Sequence, residues 1–294
     1  MKEGQIISFN KGIFLIEFAK LIRLRNLLIL GFTQYFTRIF LIGPSKNFQQ
    51  IIIEPEIYYL IICTMLIAAA GYIINDYYDI KIDMVNKPQR VVLGKSISRR
   101  GAILLHVFLN TTAFILAYYY LTLNVVIFLF FCSFVLWLYS NYLKRTPFWG
   151  NFSIALLSFA TLYIIGLFYK QRINYVLFFG FFAFAATLAR EIVKDMEDMK
   201  GDDLYDCKTL PIKYGITTTK IFVYVIIMLT LLVLISTFFL VNKYLFLYFM
   251  IATAGPYLYL TYRLIQADKR ADFASLSLQL KVIMVLGILG MILI

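Results

Sequence analysis

A chain of 294 residues carries 28 Lys and Arg against 16 Asp and Glu, a formal charge of +12, yet only 15% of it is charged and 62% is apolar. That balance lies well outside the range of a soluble domain. It excludes a disordered chain, a nucleic-acid-binding domain and an ordinary cytosolic enzyme, because one core could not hide so much apolar side chain. The positives stand in short links between apolar runs, as in a multi-spanning membrane protein.

A spanning helix needs about 20 mostly apolar residues. In chain order the sequence predicts nine, over 21–42, 57–74, 102–121, 125–142, 148–168, 175–189, 221–241, 245–262 and 278–294. The links after the second, sixth and eighth are long and basic, and those after the third, fifth and seventh are only a few residues. Setting the N-terminus and the links after helices 2, 4, 6 and 8 on one side leaves Arg38, Lys46, Lys170, Arg172 and Lys243 on the other. The positive-inside rule then places the N-terminus and the long links in the cytoplasm. The basic start, with Lys2 and Lys11, is not read as a signal peptide: no cleavage site follows, and Arg23 and Arg25 interrupt the apolar run. Arg23, Arg25 and Asn26 read foremost as interfacial anchors. Contact with an acceptor or a phosphate at a cavity mouth is the alternative.

Two segments break the apolar pattern with acids. Directly after the second span comes Asn75-Asp76-Tyr77-Tyr78-Asp79-Ile80-Lys81-Ile82-Asp83, and directly after the sixth comes a run from Arg190 to Asp202. Taken alone, Asp76, Asp79 and Asp83 repeat the spacing of Asp195, Asp198 and Asp202, D-x-x-D-x-x-x-D, at an offset of 119 residues. Steps of three and four put three carboxylates on one helical face. Like charges so placed repel one another unless a cation sits against them. Two such faces at the ends of two helices suit Mg²⁺, which takes oxygen ligands and commonly completes its shell with substrate phosphates. Lys87 and Arg90 after the first cluster, Arg190 and Lys194 within the second and Lys208 beyond it are placed to grip phosphate oxygens that metal does not reach. The shared offset also points to an internal repeat with helices 2 and 6 as counterparts.

Other chemistries find little support. Cys63 and Cys132 lie in apolar runs and Cys207 in a polar link, and the single histidine, His106, lies in another apolar run. A zinc site needs about four such ligands, and a nucleophile–histidine pair would have to use His106, which reads as an ordinary membrane-helix residue. A transporter is a different class of reading, since acids inside membranes often mark ion paths. These acids, however, stand at helix ends on one side.

The run from Asn75 to Asp83, followed by Asn86-Lys87-Pro88-Gln89-Arg90, resembles the N-D-x-x-D-x-x-x-D signature of UbiA-type intramembrane prenyltransferases, and Asp195, Asp198 and Asp202 resemble their second aspartate motif. The resemblance covers essentially the whole chain. It implies an all-α integral membrane fold of nine helices around a central cavity. That fold would be one domain over 1–294, with cytoplasmic cap segments at about 75–100 and 190–220. It further implies Mg²⁺-dependent transfer of a polyprenyl group from a polyprenyl diphosphate to a lipophilic acceptor, within the bilayer and with no nucleic acid or obligate protein partner.

Carried over by position, Asn75, Asp79 and Asp83, with Asp76 close by, would hold one metal–diphosphate face, and Asp195, Asp198 and Asp202 the other. Asp79 and Asp198 would be central to catalysis. The family often has a Tyr and a Lys four apart at the end of helix 4; here Tyr139 and Lys144 are five apart. The stretch from Arg190 to Asp202 with Lys208-Thr209-Leu210-Pro211 looks most like the branch whose acceptor is geranylgeranylglyceryl phosphate. Aromatic prenylation in quinone or pigment synthesis is the alternative.

Overall fold

A computed structural model describes residues 11–43, 48–89, 91–94, 96–240 and 242–294. Its helices are α1 (Lys11–Leu21), α2 (Leu24–Thr37), α3 (Phe48–Ile52), α4 (Pro55–Asn86), α5 (Arg99–Tyr120) and α6 (Leu123–Asn141). After them come α7 (Trp149–Tyr169), α8 (Ile173–Leu204), α9 (Leu210–Leu240), α10 (Lys243–Phe249), α11 (Gly255–Gln266) and α12 (Arg270–Leu289). Among the described residues eight stretches are each long and apolar enough to span a membrane. The first predicted span is not among the eight; there α2 runs on through a widened turn at Arg38–Ile42. Arg23, with φ at 52°, breaks the helix just before it. The protein is an integral membrane protein.

Local chemistry marks the helix ends. Pro55 opens α4, where its missing N–H and fixed φ suit the first turn. Ser98 caps α5 by accepting from the Gly101 N–H at 3.1 Å. Asn242 caps α10 the same way for Leu245, at 2.8 Å. Gly215, with φ at 82°, kinks α9 near its start.

The main departure from the sequence reading lies in α4 and α8. The apolar runs at 57–74 and 175–189 mark only the membrane spans, and both helices continue unbroken past them through the acids, to 32 residues each. At 1.5 Å per residue each is roughly 48 Å long against a hydrocarbon core of about 30 Å. Both motifs therefore ride on rigid helical extensions rather than on loops. The apolar pattern ended where the bilayer ends, whereas helical hydrogen bonding had no reason to stop there.

Sequence neighbours α4 and α5, and α7 and α8, pack as hairpins; α4 also packs on α6 and α2, and α8 on α9 and α12. Lipid tails supply no hydrophobic drive between helices, so close approach comes from small residues. Gly71 on α4 meets Leu136 of α6, Gly180 on α8 meets Phe159 of α7, and Gly287 on α12 meets Phe182 of α8. A Cβ on Gly287 would lie 1.9 Å from the Phe182 ring.

At the end of the bundle away from the motifs, the widened turn buries Arg38. Its Nε and Nη2 donate to Glu54 Oε2 at 2.9 and 2.5 Å, and its guanidinium lies 4.3 Å over the Tyr169 ring. One of the positives counted for topology is thus an internal ion pair.

Candidate active site

The acids converge because α4 and α8 end side by side. Asn86, in the last turn of α4, donates its amide to the Asp198 carbonyl at 3.0 Å and accepts the Gly201 N–H at 3.0 Å. Gly201 is required there, since a Cβ would come within 2.4–2.6 Å of the Asn86 side chain. Arg270, opening α12, donates to the Asn86 carbonyl at 2.6 Å and brings a third helix to the tie. One residue on, Lys87 donates to Asp198 Oδ2 at 2.8 Å and lies 3.5 Å from Glu197.

On α4 the predicted stripe forms one face. Asp79 is buried and accepts from both the Asn75 amide, at 2.8 Å, and the Lys144 ammonium. Burial alone would lower the pKa of Lys144, but the Asp79 carboxylate more than reverses that, so the ammonium is held above lysine's ordinary range. The five-residue spacing from Tyr139 to Lys144 is absorbed where α6 ends at Asn141 and a tight turn, Leu143–Arg145, swings the lysine back toward α4. Tyr139 is within electrostatic reach of Lys144 and Asp79 and of Lys194 and Glu191 on α8. Asp83 is half-buried one turn beyond Asp79.

Asp76 has a partner the sequence reading placed elsewhere. Arg23 Nη2 donates to Asp76 Oδ1 at 2.7 Å, with the guanidinium 4.8 Å over the Tyr72 ring. The anchor reading of Arg23 is corrected accordingly: the left-handed break before α2 turns it inward onto α4.

On α8, Asp195 accepts from the buried Asn151 amide of α7 at 2.8 Å. Asp202 is buried, and its carbonyl accepts the Cys207 N–H at 2.9 Å. Asp198 Oδ1 is buried and has no hydrogen-bond partner among the described residues. Glu191 accepts from Arg190 and lies 3.6 Å from Lys194. Lys208 donates its backbone N–H to the Arg145 carbonyl at 3.0 Å, and the residue itself is exposed. Arg90 lies outside the described residues. Among those described, no three His, Cys, Asp or Glu side chains close on one point; the oxygens are spread along two facing stripes.

The model of the UbiA prenyltransferase family matches residues 49–285. The chain belongs to that family. It is 30% identical to the digeranylgeranylglyceryl phosphate synthase of Methanosphaera stadtmanae over 249 residues, 84% of this chain and 88% of the relative. Its fold matches a solved structure of digeranylgeranylglyceryl phosphate synthase with a TM-score of 0.74 at 22% identity, covering 96% of this chain and 99% of that one. A UbiA homologue from Archaeoglobus fulgidus, solved with GPP and Mg²⁺, matches with a TM-score of 0.68 at 14% identity over 95% and 100% of the chains.

Four residues stand at this UbiA-family site without an assigned part in the sequence reading. Asn86 and Glu191 sit inside the quoted motifs, and their amphipathic register was the available signal. Asn151 and Arg270 carried none, since each reaches the site from a helix remote in sequence.

Proposed function

We propose that the protein transfers a geranylgeranyl group from its diphosphate to the hydroxyl of geranylgeranylglyceryl phosphate, making an ether lipid in a Mg²⁺-dependent reaction. The observation that carries this is the tie of Asn86 and Lys87 to Asp198 and Gly201, which sets two three-aspartate stripes against each other at one end of a membrane bundle. The choice of acceptor is supported by the synthase from Methanosphaera stadtmanae, which shares most of its length with this chain.

The donor set suits a hard cation: carboxylate and amide oxygens, with the Asp198 Oδ1 atom buried and without a partner among the described residues. Asn75, Asp79 and Asp83 from α4 and Asp195, Asp198 and Asp202 from α8 would hold Mg²⁺, with Asp76 turned to Arg23 in support. Bound there with the diphosphate, the metal would neutralise the charge of the leaving group.

The chain's own residues do the rest. Lys87 and Lys144 each have three N–H donors, of which neighbouring carboxylates take only part, leaving donors for phosphate oxygens. Tyr139 is the aromatic group we place beside the allylic carbon, where a ring face favours positive charge. The apolar helix walls keep water from that carbon. The distribution of Lys and Arg supports a cytoplasmic N-terminus and site.

The test is product formation by the purified protein with labelled geranylgeranyl diphosphate, Mg²⁺ and geranylgeranylglyceryl phosphate, with and without chelator. Chelator-sensitive ether lipid is expected, restored by added Mg²⁺. Product only with aromatic acids would move the reaction to quinone or pigment synthesis.

A further inference from the structure

The basic groups at the site divide into two sets. Lys87, Lys144 and Arg23 each hold an aspartate of the two stripes: Asp198, Asp79 and Asp76. Arg190 and Lys194 hold none of them. Both share one buried carboxylate, Glu191, which leaves a net positive charge, and Arg190 Nε is buried without a hydrogen-bond partner among the described residues.

Their place on α8 separates them further. At 100° per residue Asp195, Asp198 and Asp202 fall within about 40° of Glu191, while Lys194 and Arg190 lie roughly 60° and 100° to one side. Along the axis Lys194 is about 6 Å, and Arg190 about 12 Å, nearer the bilayer centre than Asp198. Tyr139 and Arg23 stand within electrostatic reach of this group.

We infer that Arg190 and Lys194, held side by side by Glu191, form the seat for the phosphate monoester of the acceptor, separate from the aspartate stripes that take the donor's diphosphate. This rests on the acceptor reading above. A phosphate monoester brings close to two negative charges and three acceptor oxygens, to which the pair offers its net positive charge and several N–H groups, the buried Arg190 Nε among them. A glyceryl phosphate also carries its phosphate within a few bonds of the hydroxyl that must reach the allylic carbon. A seat one to two helical turns from Asp198 therefore sets the hydroxyl beside the diphosphate rather than on it. The two substrates' phosphates are kept on different cations, so the like charges do not compete for one site.

The test is two-substrate kinetics on the full chain in detergent with Mg²⁺ and geranylgeranyl diphosphate. The acceptor would be either geranylgeranylglyceryl phosphate or the same glyceryl ether without its phosphate. Lys194→Gln and Arg190→Gln should each raise the KM for the phosphorylated acceptor about tenfold or more, with the donor KM moving less than about twofold. Both should erase the wild type's preference for the phosphorylated acceptor, and Lys194→Arg should restore most of it. A rise in donor KM with the acceptor KM unchanged would return the pair to the diphosphate and overturn the inference, as would no change in either. Should the variants fail to fold, the wild type still decides: glycerol 1-phosphate should compete with the acceptor, and competition against the donor instead overturns the seat. A wild type that turns over aromatic acids but not the phosphorylated lipid would overturn the acceptor reading, and the seat with it.

Discussion

On α4, cations hold two of the three motif aspartates: Arg23 takes Asp76, and Lys144 takes Asp79 together with the Asn75 amide. On α8 the same spacing meets different company: Asp195 has a neutral amide from Asn151, and Asp198 has Lys87 on one oxygen and, among the described residues, no partner on the other. The α4 stripe is thus largely neutralised by the fold, whereas the α8 stripe keeps unfilled acceptor capacity. Identical spacing makes two faces of like charge, but the neighbours decide how much of each face the fold's own cations already hold.

Replacing the central aspartates tests that contrast most severely. Asp79→Asn and Asp198→Asn should each cut turnover on the order of 10²–10³-fold or more. Asp79→Asn should also lower the melting temperature the more, a loss of about 3 kcal/mol, because it leaves the Lys144 ammonium without its carboxylate, whereas Lys87 keeps Glu197 at 3.5 Å when Asp198 is changed. Equal melting of the two variants would break the comparison.

At the opposite end of the bundle, Glu54→Ala strands the buried Arg38 guanidinium and should cost about 3–5 kcal/mol of stability. Both KM values should stay unchanged for the folded fraction, and a changed KM would show that the far end is coupled to the site.

Gly201→Ala sharpens the tie between the stripes. The added methyl meets Asn86, so a loss of about 1–3 kcal/mol is expected in thermal melts. Because Asn86→Ala removes the clash along with the hydrogen bonds, the double variant should be no worse than Asn86→Ala alone; simple additivity would count against the contact. Asn151→Ala should have the smallest effect, a loss of one hydrogen bond to Asp195 worth about 1 kcal/mol, read as a several-fold fall in kcat.

Much of this was legible beforehand for a physical reason. Apolar runs long enough for a bilayer are a local property, so the spans at 102–121, 125–142 and 148–168 match α5, α6 and α7 to within a few residues. The stripes were legible because helical periodicity relates residues three and four apart. The ends of α4 and α8 were not, because hydropathy reports the membrane boundary and the helices cross it. Arg23 was misread for a related reason: an arginine at the head of a span has the same sequence signature whether it faces lipid headgroups or an aspartate 53 residues away.

Composition and periodicity, then, determined the membrane class, the helices and the two carboxylate faces, all of which depend on residues close together in the chain. Tertiary structure alone decided the partners: Asn86 and Lys87 against residues of α8 more than 100 positions away, Asn151 against Asp195, and Arg38 against Glu54. Such pairings come from the packing of whole helices, and the spacing of residues within either helix does not encode which face its neighbour will present.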